Sequence, residues 1–527
     1  MKLSLRAGCI VALAGTWGAV TGAQAQGSPA GALASICQAD VKGDKKDEWM
    51  REPNSRSSVT QHRLSAGGRS IEYSATAGLL VIRDNEDKPI ANLSYVAYTR
   101  RDVKDIGARP ILFAFNGGPG SSSLWLHMGA LGPKRVVVSD PEPTPPAPFH
   151  TVENEFGVLD KSDLVMIDPV GTGLGHAVCG HKDEEFWGVD SDVDSISRFI
   201  TQYVSDNNRW SSPKYLLGES YGTTRAAAIV AYLRERRSLT FNGLVLISVA
   251  TDIEALFSEF PGNDRPYPLY LPGYAAVGWY HHVLPKQPAS LEPFLQEVRQ
   301  FAAGPFTAAL LKGDALSDEE RTAVAEQMHE YTGLSVEYLK AANLRVSESA
   351  FTHELLKAQR KTIGRLDARY VGPTMDPLQK YAEYDPLSEA ISAAYTAAFL
   401  DYYHGELKFG QDMTYRDPAV GIWEKWKWSH RPGGSTEQPI VNTGVDLGRV
   451  MVEDSSLRVL VLSGYFDLAT PFSAIEYEMR HLGVPPGVSS RIQIQYYEAG
   501  HMLYVHLPSL RKMKGDLDAF IDSTARH

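Results

Sequence analysis

The sequence predicts an α/β fold, with a mostly parallel central sheet flanked by helices, and three observations predict it. Short, largely apolar runs recur at Ile111-Phe115, Leu164-Ile167, Tyr215-Leu217, Leu244-Ser248, Val459-Ser463 and Ile492-Tyr496. Runs of this kind suit strands buried on both faces, as in a parallel sheet covered by helices. Helical stretches such as Val193-Val204 and Thr224-Arg236 lie between several of them, the alternation of an α/β architecture. Each run also ends in a Gly-rich or Asp-bearing turn, at the strand ends where open α/β sheets build their sites.

In chain order, Lys2 and Arg6 precede a short apolar run, Ala7 to Val20, followed by Ala23-Gln24-Ala25. This is the pattern of a secretory signal, residues 1–25, cut after Ala25; the run falls short of the roughly 18 apolar residues of a membrane anchor. Residues 26–69 read as a polar lead-in. A first part of the core is expected over 70–284. It opens with an antiparallel meander of short strands at Ser70-Tyr73, Leu79-Arg83 and Leu93-Tyr98, the last two joined by the acidic turn Asp84-Pro89. Residues 285–365 break the alternation. They hold successive helical patterns, Leu291-Ala302, Ser317-Tyr331 and Ser335-Ala342, with no strand signal, and predict a helical cap inserted into the sheet. The core resumes over 366–527. Pro141-Pro148 and Arg431-Gly434 read as surface loops.

Composition bounds the function. The 527 residues are 43% hydrophobic and 22% charged with a formal net charge of −11, which excludes a disordered chain and leaves no basic footprint for nucleic acid. Of three cysteines, Cys9 leaves with the signal, and Cys37 and Cys179 are free to pair in an oxidising compartment. No Cys/His cluster has zinc spacing, no apolar span of membrane length follows the signal, and no cofactor or metal is expected. An exported, periplasmic or secreted protein is expected, without membrane attachment once the signal is gone. Nothing in the chain speaks to its oligomeric state.

The sharpest chemical signal is Gly218-Glu219-Ser220-Tyr221-Gly222. A G-x-S-x-G turn between a strand and a helix is a nucleophile elbow, which thrusts the serine hydroxyl out at the strand end. That hydroxyl needs a base, and the base an orienting carboxylate. In the α/β-hydrolase fold the chain order is Ser, acid, His. Asp467, just past the strand Val459-Ser463, and His501, just past Ile492-Tyr496, satisfy order and position. His506 is the nearest rival base and reads as structural. An oxyanion needs aimed N–H donors. Asn116-Gly117-Gly118-Pro119-Gly120 follows the strand Ile111-Phe115, and the amides of Gly118 and Tyr221 are the candidate donors. Trp125 and His127 suit either a pocket wall or packed core.

Four segments together, Asn116-Gly117-Gly118-Pro119-Gly120-Ser121-Ser122-Ser123, Asp168-Pro169-Val170-Gly171-Thr172-Gly173, Gly218-Glu219-Ser220-Tyr221-Gly222 and Gly500-His501-Met502, resemble the serine carboxypeptidase family. The resemblance runs from about residue 70 to the end and implies an α/β-hydrolase core with a helical insertion. It also implies removal of C-terminal residues from peptides through an acyl-enzyme on Ser220, and a place for Asp168-Gly173 near the substrate pocket. It assigns Asn116 and Glu219 to the substrate's terminal carboxylate, a task for which Glu219 must hold or share a proton. The chain departs from the family in two places. Ala130 stands before Leu131-Gly132-Pro133, where relatives carry a second glutamate, and Ser121 replaces a cysteine. Without that neighbouring carboxylate Glu219 loses one influence that raises its pKa, so a weaker demand for a free C-terminus or a less acidic optimum is expected. The same residues also suit an esterase or acyltransferase, and a non-catalytic binding protein is the third reading.

Overall fold

The computed structural model describes residues 55–66, 68–257, 262–433 and 435–525. The signal segment 1–25, most of the lead-in and Cys37 lie outside them; Cys179 is disulfide-bonded.

Nine strands form the path of one sheet. They are β1 (Ser57–Ala66), β2 (Arg69–Arg83), β3 (Pro89–Arg100), β4 (Ile111–Phe115), β5 (Asp163–Ile167), β6 (Lys214–Glu219), β7 (Gly243–Ile247), β8 (Arg458–Gly464) and β9 (Ile492–Tyr497). Their order is β1-β2-β3-β5-β4-β6-β7-β8-β9. The first three are antiparallel, β3 meets β5 antiparallel, and every later pairing is parallel. This is the α/β-hydrolase fold. The six runs read from sequence lie within β4 to β9, Ser248 alone falling just past its strand; β4 to β8 alternate their apolar side chains between two cores, while the edge strand β9 turns Ile492 and Ile494 to one of them. Leu112, Leu164, Leu217 and Leu460 face one side; Phe113, Val165, Leu216 and Val461 face the other.

The amino-terminal part differs from expectation. Ser70-Tyr73 and Leu79-Arg83 are one 15-residue strand, since Ala75, Ala77 and Gly78 pair in register with β3 although their small side chains carry no alternation. β1 was not expected at all. It is an edge strand with one nearly exposed face, and its polar residues leave no apolar signature.

Helices α1 (Val189–Asp206) and α2 (Tyr221–Arg237) cover one face. Between β7 and β8 the chain leaves the sheet for a helical layer containing α3 (Pro266–Tyr280), α4 (Leu291–Phe301) and α5 (Asp318–Thr332). Its core joins Tyr274, Leu295, Val298 and Phe351 to Phe466, Leu468 and Phe472 of the turn after β8. Ser317, Ser335 and Ser347 each accept an N–H of the first turn they cap, which is why the helical patterns begin where they do. The chain returns through a two-stranded ribbon, Lys361–Ile363 with Val371–Pro373, and then α6 (Pro386–Gly405), α7 (Gly444–Glu453), α8 (Phe472–Arg480) and α9 (Leu507–Thr524).

His430 ties this return path to the sheet's helices. Its Nδ1 lies 2.6 Å from Asp190 Oδ1 at the start of α1, and its Nε2 lies 2.7 Å from Asp446 Oδ2 on α7. Burial opposes its charge, but the two carboxylates prevail and raise its pKa to about 9. The folded state therefore keeps a proton that the unfolded chain, near pH 6.5, releases first. The resulting stability is complete below that pH and is lost as pH rises through about 9. We expect stability to fall between pH 7 and 9.5 by about 1–3 kcal/mol, read as a lower melting temperature, and His430→Asn to abolish that slope. An unchanged slope in the variant would assign it to other groups.

Candidate active site

Register brings the first two parts of the site together. β4 and β6 are parallel neighbours with Phe115 opposite Gly218, so the loop after β4 and the turn after β6 emerge side by side. β4 lies between β5 and β6, the switch point at which an open α/β sheet leaves a crevice.

The turn after β6 confines Ser220 to φ 60, ψ −131, a region that a residue with a side chain occupies only under strain. Close packing fixes it there. A Cβ on Gly218 would lie 2.1 Å from the Gly222 carbonyl oxygen, and one on Gly117 would lie 2.6 Å from both the Glu219 carbonyl and the Tyr221 nitrogen. The loop and the elbow can touch only because both positions are glycine. The Ser220 N–H donates to the Ile247 carbonyl at 2.9 Å, holding the elbow to the end of β7. Tyr221 is the first residue of α2, so its N–H has no intrahelical acceptor and is free for a ligand, beside Gly118.

Asp467 is fully buried. Its Oδ1 accepts the N–H groups of Ala469 and Thr470 at 2.8 and 2.9 Å; its Oδ2 accepts the Thr470 hydroxyl at 2.7 Å and lies 2.8 Å from His501 Nδ1. That geometry directs Nε2 of His501 away from the carboxylate. Burial pushes the His501 pKa down, but Asp467 outweighs it and the net shift is upward.

A segment absent from the sequence reading clasps both turns. The Arg365 and Phe466 carbonyls accept from Leu468 and Ala368, each at 3.0 Å, and the Leu366 carbonyl accepts from the His501 N–H at 2.6 Å. Asp367 accepts the Gly500 N–H at 3.0 Å and is itself gripped by Arg369, which also reaches Asp140 at 2.8 Å. Residues 365–369 thus set the position of His501 from the far end of the helical insertion.

Asn116 is held at three points. Its Oδ1 accepts the Leu126 N–H at 3.0 Å, its carbonyl accepts Arg225 at 2.7 Å, and its Nδ2 donates to Glu219 Oε1 at 3.1 Å. Glu219 is buried, and that burial raises its pKa to about 7, against the opposing influence of His501. The Tyr504 hydroxyl stands beside this carboxylate and, with Asn116, pulls against the upward shift. Desolvation therefore supplies what a second carboxylate at Ala130 would have supplied.

Asn116, Gly118, Glu219, Ser220, Tyr221 and His501 line one cavity of about 490 Å³, with Asp467 behind His501. Trp125 lines it too. His127 does not: it is buried against Tyr98, at 2.6 Å, and burial pushes its pKa down to about 3. His506 starts α9 and bonds Ser509 at 2.8 Å. Asp168 stands behind the cavity wall, accepting the Ser123 N–H at 2.8 Å and the Ser94 hydroxyl at 2.7 Å. A larger cavity of about 650 Å³, beside α3, α4 and α8, holds none of these residues.

The family model of serine carboxypeptidases matches residues 69–260, a span that includes Asn116, Glu219 and Ser220 and ends before Asp467 and His501. No curated protein matches the chain in sequence. Among solved structures the chain is similar to Kex1Δp, a prohormone-processing carboxypeptidase from Saccharomyces cerevisiae, at 14% identity over 86% of this chain and 92% of that one, with a TM-score of 0.51. It is also similar to proline iminopeptidase from Mycobacterium smegmatis, at 13% identity over 85% of this chain and 98% of that one, with a TM-score of 0.36. The first of these likenesses supports the α/β-hydrolase fold.

Proposed function

We propose that the chain is an exported serine carboxypeptidase, and that Ser220, His501 and Asp467 act as nucleophile, general base and orienting acid. One observation carries the reading: a histidine bonded to a buried carboxylate shares a cavity with an elbow serine and with the Asn116–Glu219 pair. In this mechanism His501 takes the Ser220 proton as Oγ attacks the last peptide carbonyl. The N–H groups of Gly118 and Tyr221 receive the oxyanion. His501 then protonates the departing amine, and water repeats the sequence on the acyl-enzyme. Asn116 and protonated Glu219 hold the substrate carboxylate. The match of residues 69–260 supports this substrate class. Export rests on the signal at 1–25 and on the disulfide at Cys179; among the described residues no helix is long and apolar enough to cross a membrane.

The test is hydrolysis of an N-blocked dipeptide as free acid, as C-terminal amide and as ester. Cleavage of the free acid in preference to the amide supports the proposal. Ester cleavage with both peptides untouched moves the protein to the esterase or acyltransferase reading.

The two titrations give the proposal a pH signature. His501 must be neutral to act as base, and Asp467 holds its pKa above the ordinary 6.5, setting the acid limb. Glu219 must be protonated to meet a carboxylate, and burial keeps it so only up to about pH 7. Above that, the ionised pair repels and kcat/KM falls by up to about tenfold per pH unit. A narrow bell near neutrality is expected for the free acid, and only the rising limb for an ester, which lacks the carboxylate. Glu219→Gln removes the alkaline limb. An alkaline limb shared equally by ester and free acid would show that Glu219 is not its source.

A further inference from the structure

A buried acid that the proposed chemistry does not use anchors the cavity wall on the side away from Asn116. β6 lies between β4 and β7, so the loops after β4 and β7 flank Ser220 on opposite sides. Asn116, which the proposed mechanism gives to the substrate's terminal carboxylate, follows β4. The departing residue therefore lies on the β4 side, and the part that stays on Ser220 as the acyl group extends toward β7. There Ala250, Ile253, Leu256 and Phe257, on the loop after β7, line the cavity with apolar surface.

Two clamps hold that loop. The first is α2, which begins at the elbow: the Thr223 hydroxyl accepts the Ala250 N–H at 2.8 Å, and the Thr224 hydroxyl donates to the Ala250 carbonyl. The second is Glu478, near the end of α8. Its Oε2 accepts the Thr251 N–H at 2.8 Å, the Thr251 hydroxyl at 2.5 Å and the Asp252 N–H at 3.1 Å. Its Oε1 is buried without a hydrogen-bond partner, and among the described residues no cation pairs with the carboxylate. Burying an acid that has no cation is costly. Three converging donors offset that cost, and all three are stranded if the acid is lost. Burial raises the Glu478 pKa to about 8, against the hydrogen bond from Thr251. The side chain is therefore mostly neutral at pH 7 and works as an acceptor rather than as a charge. Asp252 also meets Arg265, at 3.0 Å, but Arg265 is partly exposed, and a pair of that kind holds its members loosely.

We propose that Glu478 is a positioning residue for the acyl side of the cavity: as the shared acceptor of Thr251 and Asp252 it fixes the wall against which a bulky apolar acyl residue packs. The inference rests on the proposed function and deepens it.

The test measures kcat and KM for activated esters of two N-blocked acyl residues, glycine and phenylalanine, in the wild type, Glu478→Gln and Glu478→Leu. Glutamine keeps an oxygen for Thr251 and Asp252; leucine fills similar space and offers none. In Glu478→Leu the KM of the phenylalanine ester is expected to rise about tenfold with kcat within about threefold of wild type. The glycine ester, too short to reach the wall, is expected to change little, and Glu478→Gln to stay within about threefold of wild type throughout. KM reads only folded enzyme, so a poor yield of the leucine variant leaves the comparison intact. Should that variant not fold at all, Thr251→Val, which removes the hydroxyl and leaves both N–H groups bonded, is expected to show the same selective rise at about threefold. A fall in kcat shared equally by both esters at unchanged KM would make Glu478 a general support of the Asp467 turn that α8 follows, and overturns the proposal. A glutamine variant no better than leucine overturns it as well, since charge and not acceptance would then matter, as does an unchanged KM in the leucine and valine variants alike. If the wild type cleaves neither ester, the hydrolase reading falls and takes this inference with it.

Discussion

Asp467→Asn is expected to lower kcat by about 10⁴-fold with little change in KM, and the bonding pattern says why. Oδ1 of Asp467 accepts two backbone N–H groups, so an asparagine must leave its carbonyl oxygen there and turn its amide toward His501. The amide then donates to Nδ1, which must become an acceptor, and the imidazole proton moves to Nε2. A histidine in that tautomer cannot take a proton from Ser220. Ser220→Ala costs more, on the order of 10⁶-fold in kcat, and combining the two adds little, because groups that act as a unit are lost as a unit. Single-turnover hydrolysis of an activated ester measures the chemical step directly, and binding of a blocked dipeptide by Ser220→Ala shows that the cavity is intact. Asp467→Asn within tenfold of wild type would remove Asp467 from the mechanism.

The parts of the fold that could be read in advance share one physical cause. β4 to β8 are buried on both faces, and a strand so placed has no choice but a nearly unbroken apolar run. The elbow was legible for a different reason: Gly218 and Gly222 answer a local steric demand, and local demands leave spacing in the sequence. Ser220, Asp467 and His501 stand out as candidates in the sequence because each follows a strand at its end. What escaped notice lacks that kind of signal. β1 is an edge strand of polar residues. The meaning of Asp367 depends on Gly500, 133 positions away. Glu219 shows the same limit from another side. Ala130 suggests one raising influence fewer, yet burial, the largest influence on the group, takes it up to about 7, and burial depth is a property of the fold rather than of the neighbouring motif.

Arg225→Met is expected to destabilise the protein by about 3–5 kcal/mol. The guanidinium is wholly buried, 2.7 Å from Asp192, and lies over the rings of Phe115 and Tyr221 at 5.0 and 5.3 Å. Removing it strands Asp192, whose pKa burial already raises against the pull of Arg225. Replacing both members, Asp192→Leu with Arg225→Met, removes the orphaned charge and is expected to restore most of the stability, since buried ion pairs often add little over a packed apolar pair. Activity is expected to part company with stability at this point. Arg225 also donates to the Asn116 carbonyl at 2.7 Å, and neither methionine nor leucine can. Asn116 begins the loop that carries Gly118, so the double variant should fold yet place its oxyanion donor loosely, with kcat down by about 10- to 100-fold. Urea unfolding and ester kinetics on the same preparations separate the two effects. Wild-type kcat in a stable double variant would make Arg225 a packing residue only; recovery of stability without recovery of kcat would make it the strut between the helix behind Ser220 and the loop opposite.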